Sequence, residues 1–294
     1  MRKTDPTGAA HLPRLARRNA LRLGLGALAA PFVARPLWAA RGVTDLEGFD
    51  SLWRDAEAAI EANFGHGVQF SDQGITLDLP EHADTGSSVP VTIRIDAAMT
   101  SADCPSVVHL LAHGNPTPQI MSVWFDPAAG KAEVTTRIRL EQSQRVTVVA
   151  AMRDGRYLRA DRDISVAFGA CAQVGSGSND DIFAFQPETR INVPPVARRG
   201  EVVTLRALIS HPMETGLRKS ATDEWVRQRI ISTFRCMHGG REIMAVRLYP
   251  AMASNPYFLF HLRADKSGPV GFRWFDMTGP TYTAESMLTV LGDG

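Results

Sequence analysis

Three residues in this chain are able to do covalent chemistry through sulfur: Cys104, Cys171 and Cys236. An odd number cannot close into a disulfide framework, so at least one thiol stays unpaired. No Cys-x-x-Cys occurs, which removes the zinc-ribbon and thioredoxin-type sites that need that spacing. Cys171 stands apart from the other two. It follows the run Asp163-Ile164-Ser165-Val166-Ala167-Phe168-Gly169-Ala170 and precedes the tract Val174-Gly175-Ser176-Gly177-Ser178-Asn179. Ile164, Val166 and Phe168 alternate and are predicted to share the buried face of a strand. Continued, that parity turns Cys171 outward. Its neighbours Gly169, Ala170 and Ala172 are small and leave the sulfur open to a large partner. Free cysteine is ordinarily among the most buried residue types, so a thiol on such a tip reads as a handle for a covalent cargo. No Lys/Arg cluster adjoins it in sequence. An unshifted thiol is only a few per cent thiolate at neutral pH, which suits a passenger site worked on by partner enzymes, not a self-sufficient catalyst.

The remaining chemistry-bearing residues form no second centre. Cys236 shares parity with Phe234 and is expected in the core. Cys104, in the loop-like Asp103-Cys104-Pro105, is a candidate for transient pairing with Cys171. His109 with His113, and Cys236 with His238, could each face one way, but neither pair has a third ligand at a usual spacing, so no metal is expected. His211 reads as structural or interfacial. No Ser/His/Asp constellation and no phosphate-cradling glycine loop is discernible, and no cofactor is expected. A carbohydrate-binding or adhesive module would leave the Cys171 arm unexplained. A thiol peroxidase would need a low-pKa thiolate and a resolving cysteine, for which only Cys104 is available.

Several elements must position that thiol. The 294 residues, 44% hydrophobic and 21% charged, suffice for one large or two ordinary domains with a real core. Arg17-Arg18 precedes a modestly apolar run from Leu23 to Val33, the pattern of a twin-arginine export signal cleaved near Ala39 or Ala40. The run is shorter than the roughly 20 residues needed to span a bilayer. Residues 1–40 hold seven Lys/Arg and one Asp, so the rest of the chain has 25 basic and 30 acidic residues, a net of −5. That balance argues against nucleic acid or an anionic membrane surface, and the expected product is a soluble, mildly acidic periplasmic protein.

From residue 41 the chain is predicted to open with a helix. Thr44 and Glu47 form a capping-box pattern, Leu46, Phe49, Trp53, Ala56, Ile60 and Phe64 recur at helical spacing, and Gly65 ends it. Its apolar stripe should pack on the first sheet. Alternating strands follow at Val89–Ile95, Val134–Leu140 and Val146–Ala150, separated by Asn115-Pro116-Thr117-Pro118, Asp126-Pro127 and Asp154-Gly155 turns. Residues 172–186 read as a linker. Further strands are predicted at 203–209, 242–248, 257–263 and 270–275, with a helical turn or two at Asp223–Ile231 and hairpins at Gly239-Gly240 and Ser267-Gly268. The expected fold is mainly β: two immunoglobulin-like antiparallel sandwiches, 41–171 and 187–294.

The second unit carries Ile209-Ser210-His211-Pro212-Met213-Glu214-Thr215-Gly216-Leu217-Arg218-Lys219, then Phe234-Arg235-Cys236, Ser254-Asn255-Pro256-Tyr257 and Phe272-Arg273-Trp274-Phe275-Asp276. This series resembles SoxZ, a subunit of the SoxYZ sulfur carrier of thiosulfate oxidation. The first unit, with its leading helix, the Asn115-Pro116-Thr117-Pro118 turn, Thr136-Arg137-Ile138-Arg139 and the ending Gly169-Ala170-Cys171, is similar to SoxY. The resemblance implies that Cys171 is the arm cysteine bearing sulfur intermediates, that Gly169 and Ala170 are its arm, that the chain is a carrier acted on by partner enzymes, and that its two units dock. SoxY arms carry Gly-Gly on both sides of the cysteine. Here Ala170 and Ala172-Gln173 depart from that pattern and the cysteine is internal. These features resemble the fused, quinoprotein-dehydrogenase-associated branch. The alternative is an accessory module for a periplasmic quinoprotein dehydrogenase with no sulfur cargo.

Overall fold

The computed structural model describes residues 54–170 and 177–292. The export signal and the Thr44–Glu47 pattern lie outside these. Strands dominate, and they build two sheets. One holds, in spatial order, β1 (Ile75–Asp78), β3 (Val89–Ile95), β6 (Ala132–Ile138), β14 (Tyr257–Arg263), β11 (Val202–Ile209) and β9 (Thr189–Asn192). The other holds β10 (Val196–Arg198), β16 (Thr281–Leu291), β15 (Gly268–Asp276), β12 (Ile231–His238), β13 (Arg241–Leu248), β5 (Gln119–Phe125), β4 (Pro105–Ala112), β7 (Gln144–Met152), β8 (Tyr157–Phe168) and β2 (His82–Thr85). The mainly-β, immunoglobulin-like architecture expected from the alternation is present.

Each sheet runs through both halves of the chain. In the larger, β5 pairs antiparallel with β13 and sets Val123 opposite Val246. In the smaller, β6 meets β14 with Thr135 opposite Leu259, and the Thr136 hydroxyl donates to the Tyr257 carbonyl at 2.7 Å. A continuous apolar core fills the space between the sheets, from Leu77, Ile93 and Val148 to Phe234, Phe258 and Trp274. The period-2 pattern explains this: on β3 every odd residue from Val89 to Ile95 is buried, so one face of the strand meets the facing sheet.

Helix α1 (Ala56–Phe64) buries Ala56, Ala59 and Ile60 against Leu111 of β4, Val149 of β7 and Tyr249. The apolar stripe does pack on the first half's sheet, and Gly65, at φ 96°, ends the helix as expected. Its start differs from the expectation. Asp55 is extended (φ −126°, ψ 129°) and its carboxylate accepts from the Ala58 amide at 2.8 Å, so helix α1 is capped at Asp55 and begins at Ala56.

Three other expectations are corrected. Phe168 is not buried with Ile164 and Val166 but 68% exposed. β8 follows β7 only as far as the Gln144–Ile164 pair; beyond it the strand is held by the short edge strand β2, and the alternation no longer meets a packed layer. Asp223–Ile231 is not helical: Asp223 has φ 65°, and the segment belongs to an excursion closed by Glu214–Arg229 and Lys219–Trp225 bridges. Ser267-Gly268 is not a hairpin turn, because β14 and β15 lie in different sheets. Gly239-Gly240 does join β12 to β13 with φ 57° and 77°, the two positive values a tight two-residue turn requires.

Candidate carrier site

Cys171 lies outside the described residues, with 172–176. The site is therefore built from what flanks it: Gly169 and Ala170 on one side, Gly177 on the other. The upstream root is a three-stranded crossing of backbone. The Gly86 amide donates to the Phe168 carbonyl at 2.7 Å, the Leu140 amide to Gly86 at 2.8 Å, and the Ala170 amide to Leu140 at 3.0 Å. A Cβ on Gly169 would stand 2.0 Å from the Glu141 carbonyl oxygen, and one on Gly86 would stand 1.8 Å from that of Leu140. Glycine is required at both by close approach of backbone. The downstream root is equally held. Ser178 and Asp181 form a capping box that starts helix α2 (Asn179–Ala184) within the predicted linker. Arg218 donates through Nη2 to the Gly177 carbonyl at 3.1 Å and through Nε to Glu214 at 2.9 Å.

Ala170 and Gly177 line one cavity of about 550 Å³. Its walls come from both halves: Arg139 and Glu141 from the loop after β6, and Pro212, Met213, Leu217 and Arg218 from the chain after β11. Arg139 ties the halves together. Its guanidinium donates to the carbonyls of Met213 at 2.6 Å and Pro212 at 3.1 Å and to Ser254 Oγ at 2.6 Å. Asn115 fixes the Arg139 loop, donating to the Arg139 carbonyl at 2.9 Å and accepting from the Glu141 amide at 3.0 Å. Asn255, at φ 56°, accepts from the His211 amide at 2.9 Å and returns its own amide to the His211 carbonyl at 2.8 Å. The strings singled out in sequence, Asn115-Pro116, Thr136 to Arg139, His211 to Lys219 and Ser254-Asn255, thus converge on this cavity. Sequence reasoning found no cation near Cys171. Folding brings Arg139 and Arg218 beside the residues that flank it, and their only signal was membership of those strings.

His211 is buried and structural, as expected. Its Nδ1 accepts from the Met213 amide at 3.0 Å, so Nε2 carries the proton and donates to Asp276 at 3.3 Å. Asp276 also accepts from Arg229 Nε at 3.0 Å and from Thr278. Burial pushes the imidazole below its ordinary value. Hydrogen bonds from His211, Thr278 and Arg229 outweigh burial and hold the Asp276 carboxyl well below the usual carboxylate range.

The other thiols are inert. Cys236 is fully buried, and burial pushes its pKa up. Cys104 is also fully buried, not in an open loop; its Sγ–H donates to the Phe125 carbonyl at 3.5 Å, and burial pushes it up to about 11. Cys104 lies far from Ala170, the last described residue before Cys171. The Cys104 carbonyl accepts from Arg153, just past the Met152 end of β7, whereas Ile164 faces Gln144 at the other end and Ala170 lies further along. Eight strand steps are about 27 Å, against the roughly 7 Å a disulfide tolerates between Cα atoms. His109 bonds Ser122 at 2.8 Å and His113 bonds Thr147 at 2.8 Å. Among the described residues no group of three or more His, Cys, Asp or Glu could hold a metal.

The family model of the sulfur oxidation protein SoxY matches residues 60–171, ending at Cys171, and that of the sulphur oxidation protein SoxZ matches residues 191–287. The chain is a fused SoxYZ-like protein. Its two domains indicate a sulfur-oxidation carrier function. Among solved structures, the sulfur carrier protein SoxY from Chlorobium limicola f thiosulfatophilum is 29% identical over 37% of this chain and 94% of its own, with a TM-score of 0.31. A superoxide reductase (neelaredoxin) from Ignicoccus hospitalis is 17% identical over 32% of this chain and 80% of its own, with a TM-score of 0.30. No curated protein matches the chain. In SoxYZ terms the cavity lies where the SoxY-like arm root meets the SoxZ-like His211–Lys219 segment.

Proposed function

We propose that this SoxYZ-like chain is a periplasmic carrier, exported by the twin-arginine route, that holds a sulfur intermediate covalently on Cys171 and presents it to partner enzymes. The observation that carries the reading is the shared cavity. Ala170 and Gly177, on either side of the arm, both open on it, and its walls come from the SoxY-like and SoxZ-like halves together. The two halves therefore act as one docked carrier. Arg139 and Arg218 give the cavity cationic groups compatible with an anionic sulfur cargo.

The chemistry is that of a thiol joined to sulfur. Forming Cys171–S–S–SO₃⁻ from the thiol and a thiosulfate dianion releases one proton and two electrons, which a partner oxidoreductase must accept. Removal runs by attack on an S–S bond, which thiol–disulfide exchange makes reversible. The chain is not itself the catalyst. Its partners are sulfur-oxidation enzymes or, as the resemblance of the departures at Ala170 and Ala172-Gln173 to the fused branch suggests, a quinoprotein dehydrogenase. The test is the intact mass of protein purified from periplasm, before and after reductant. A reductant-sensitive adduct on Cys171, lost with partner-dependent turnover in Cys171→Ser, is expected. An unmodified Cys171, with Cys171→Ser behaving as wild type in the pathway, refutes the carrier.

A further inference from the structure

The outward face of the six-stranded sheet carries a charge of its own. Residues opposite one another in register share a face. The pairs Arg94–Glu133, Thr135–Leu259, Arg206–Leu259, Leu208–Tyr257 and Leu208–Arg190 therefore mark the side turned away from the core. Arg94, Arg137, Arg190, Arg206 and Arg263 lie on that side, against two carboxylates, Asp78 and Glu133. Both carboxylates stand by Arg94, at 3.6 and 3.5 Å. Among the described residues no ion pair engages the other four arginines. Arg137, Arg190 and Arg206 are exposed, and half-buried Tyr257, Leu208 and Leu259 form an apolar strip between them. The Arg137 guanidinium lies 6.0 Å from the centre of the Tyr257 ring. Beyond residue 40 the chain has a net charge of −5, so this face opposes the sign of the whole. The strands end at the shared cavity: Arg137 stands just before Arg139, Leu208 just before Pro212, and Tyr257 just after Ser254.

We propose that this face, with Arg137, Arg190 and Arg206 as its anchors, is where an acidic protein partner docks to work at the cavity; this rests on the carrier reading above. Arg137 comes from the first half of the chain and the other two from the second, so the footprint exists only when the halves are joined. Six strands about 4.8 Å apart and roughly 20 Å long give on the order of 500 Å². That is a good part of the ~800 Å² each partner contributes to an ordinary interface. The composition also fits. Arginine and tyrosine are enriched at protein interfaces and lysine is depleted, and the strands of this sheet hold no lysine. Guanidinium groups pair with carboxylates two hydrogen bonds at a time, while the Tyr257–Leu208–Leu259 strip supplies an apolar centre. An anionic bilayer fits less well, because the chain as a whole is negative and is repelled by it.

The test uses the full chain in periplasmic extract of the source cells with thiosulfate, and reads the rate at which the reductant-sensitive mass appears. Arg137→Glu, Arg190→Glu and Arg206→Glu combined should lower that rate at low salt at least about tenfold. The wild-type rate should fall as salt rises to about 0.15 M, and the variant's should stay flat. Arg162, Arg198 and Arg273 are exposed on the larger sheet; replacing these three by Glu changes the net charge equally and should leave the rate within about twofold. A wild-type rate in the first variant, or an equal loss in both, overturns the face. A second arm needs no cargo. A short polyglutamate peptide should shift the NMR amide signals of Arg137, Arg190, Arg206 and Leu259 and spare the larger sheet. Shifts spread over both sheets overturn the proposal, as does binding to phosphatidylglycerol vesicles that the first variant abolishes. If the wild type gains no adduct, the carrier reading fails, and the peptide arm still decides the face.

Discussion

Gly169→Ala tests the arm root most directly. The added methyl would stand 2.0 Å from the Glu141 carbonyl oxygen, and ordinary carbon contacts begin near 3.5 Å, so one segment must retreat by roughly 1.5 Å. The Ala170–Leu140 hydrogen bond, now 3.0 Å, cannot survive that shift, and the adjoining Leu140–Gly86 and Gly86–Phe168 bonds are put under the same displacement. Three backbone hydrogen bonds at about 1 kcal/mol each correspond to on the order of 100-fold in local opening. The root lies at a sheet margin, so the loss should stay local, with a fall in melting temperature of less than about 4 °C. Hydrogen exchange by NMR at Gly86, Leu140 and Ala170 reads the effect. Ala170→Gly, which adds no atom at the crossing, is the control. Unchanged exchange at all three amides in Gly169→Ala would refute the close-approach argument.

Four further outcomes are expected. His109 is fully buried, and burial lowers its pKa to about 3; an unfolded histidine near 6.5 then takes up protons first, so its stabilising contribution is complete above pH 6.5 and declines as pH falls toward 3. That is about 2 kcal/mol by pH 5, and urea midpoints should show His109→Gln with a correspondingly flatter profile between pH 7.5 and 5. Asp276→Ala leaves Arg229 as a buried unpaired charge and should cost about 3–5 kcal/mol, read as a melting temperature lowered on the order of 10 °C; a change under a degree would contradict the buried His211–Asp276–Arg229 arrangement. Replacing Arg17 and Arg18 together by Lys should deplete the periplasmic fraction on cell fractionation, and an undiminished yield would reject the twin-arginine route. Urea unfolding of the fused chain should give coincident fluorescence and circular-dichroism transitions, whereas two separated transitions would speak against a docked pair.

What the sequence made legible was local. The alternation in Val89–Ile95 and Val203–Ile209 located strands and their buried faces, because a period of two depends only on neighbours along the chain. Gly65 and Gly239-Gly240 were readable because their backbone angles suit glycine. Phe168 was misjudged because alternation reports a buried face only while a second layer lies opposite, and β8 outruns its partner β7 there. Asp223–Ile231 was expected to form a helical turn or two, but Asp223 turns left-handed and the segment bridges back to Glu214 and Lys219. Ser267-Gly268 has hairpin residues, yet the strands it joins enter different sheets, a non-local fact. The site was legible in part. Gly169 and Ala170 stood out beside the cysteine, whereas Arg139 and Arg218 are 32 and 47 residues from Cys171 in sequence and reach its flanks only through folding.

The pairing of β5 with β13 and of β6 with β14 has a consequence for how such a chain fares when dilute or newly made. Split apart, each half would bare two hydrogen-bonding margins. One of them, β5, carries Ile120, Met121, Val123 and Phe125, which the intact fold keeps at 3% exposure or less. Apolar margins of this kind are templates for adding strands from other molecules. Two separate subunits would expose them whenever dilution favoured dissociation, by mass action. In one polypeptide the second half stays at a high effective concentration however scarce the protein becomes. The margins are then sealed at a rate independent of protein concentration, and aggregation has little opportunity to compete.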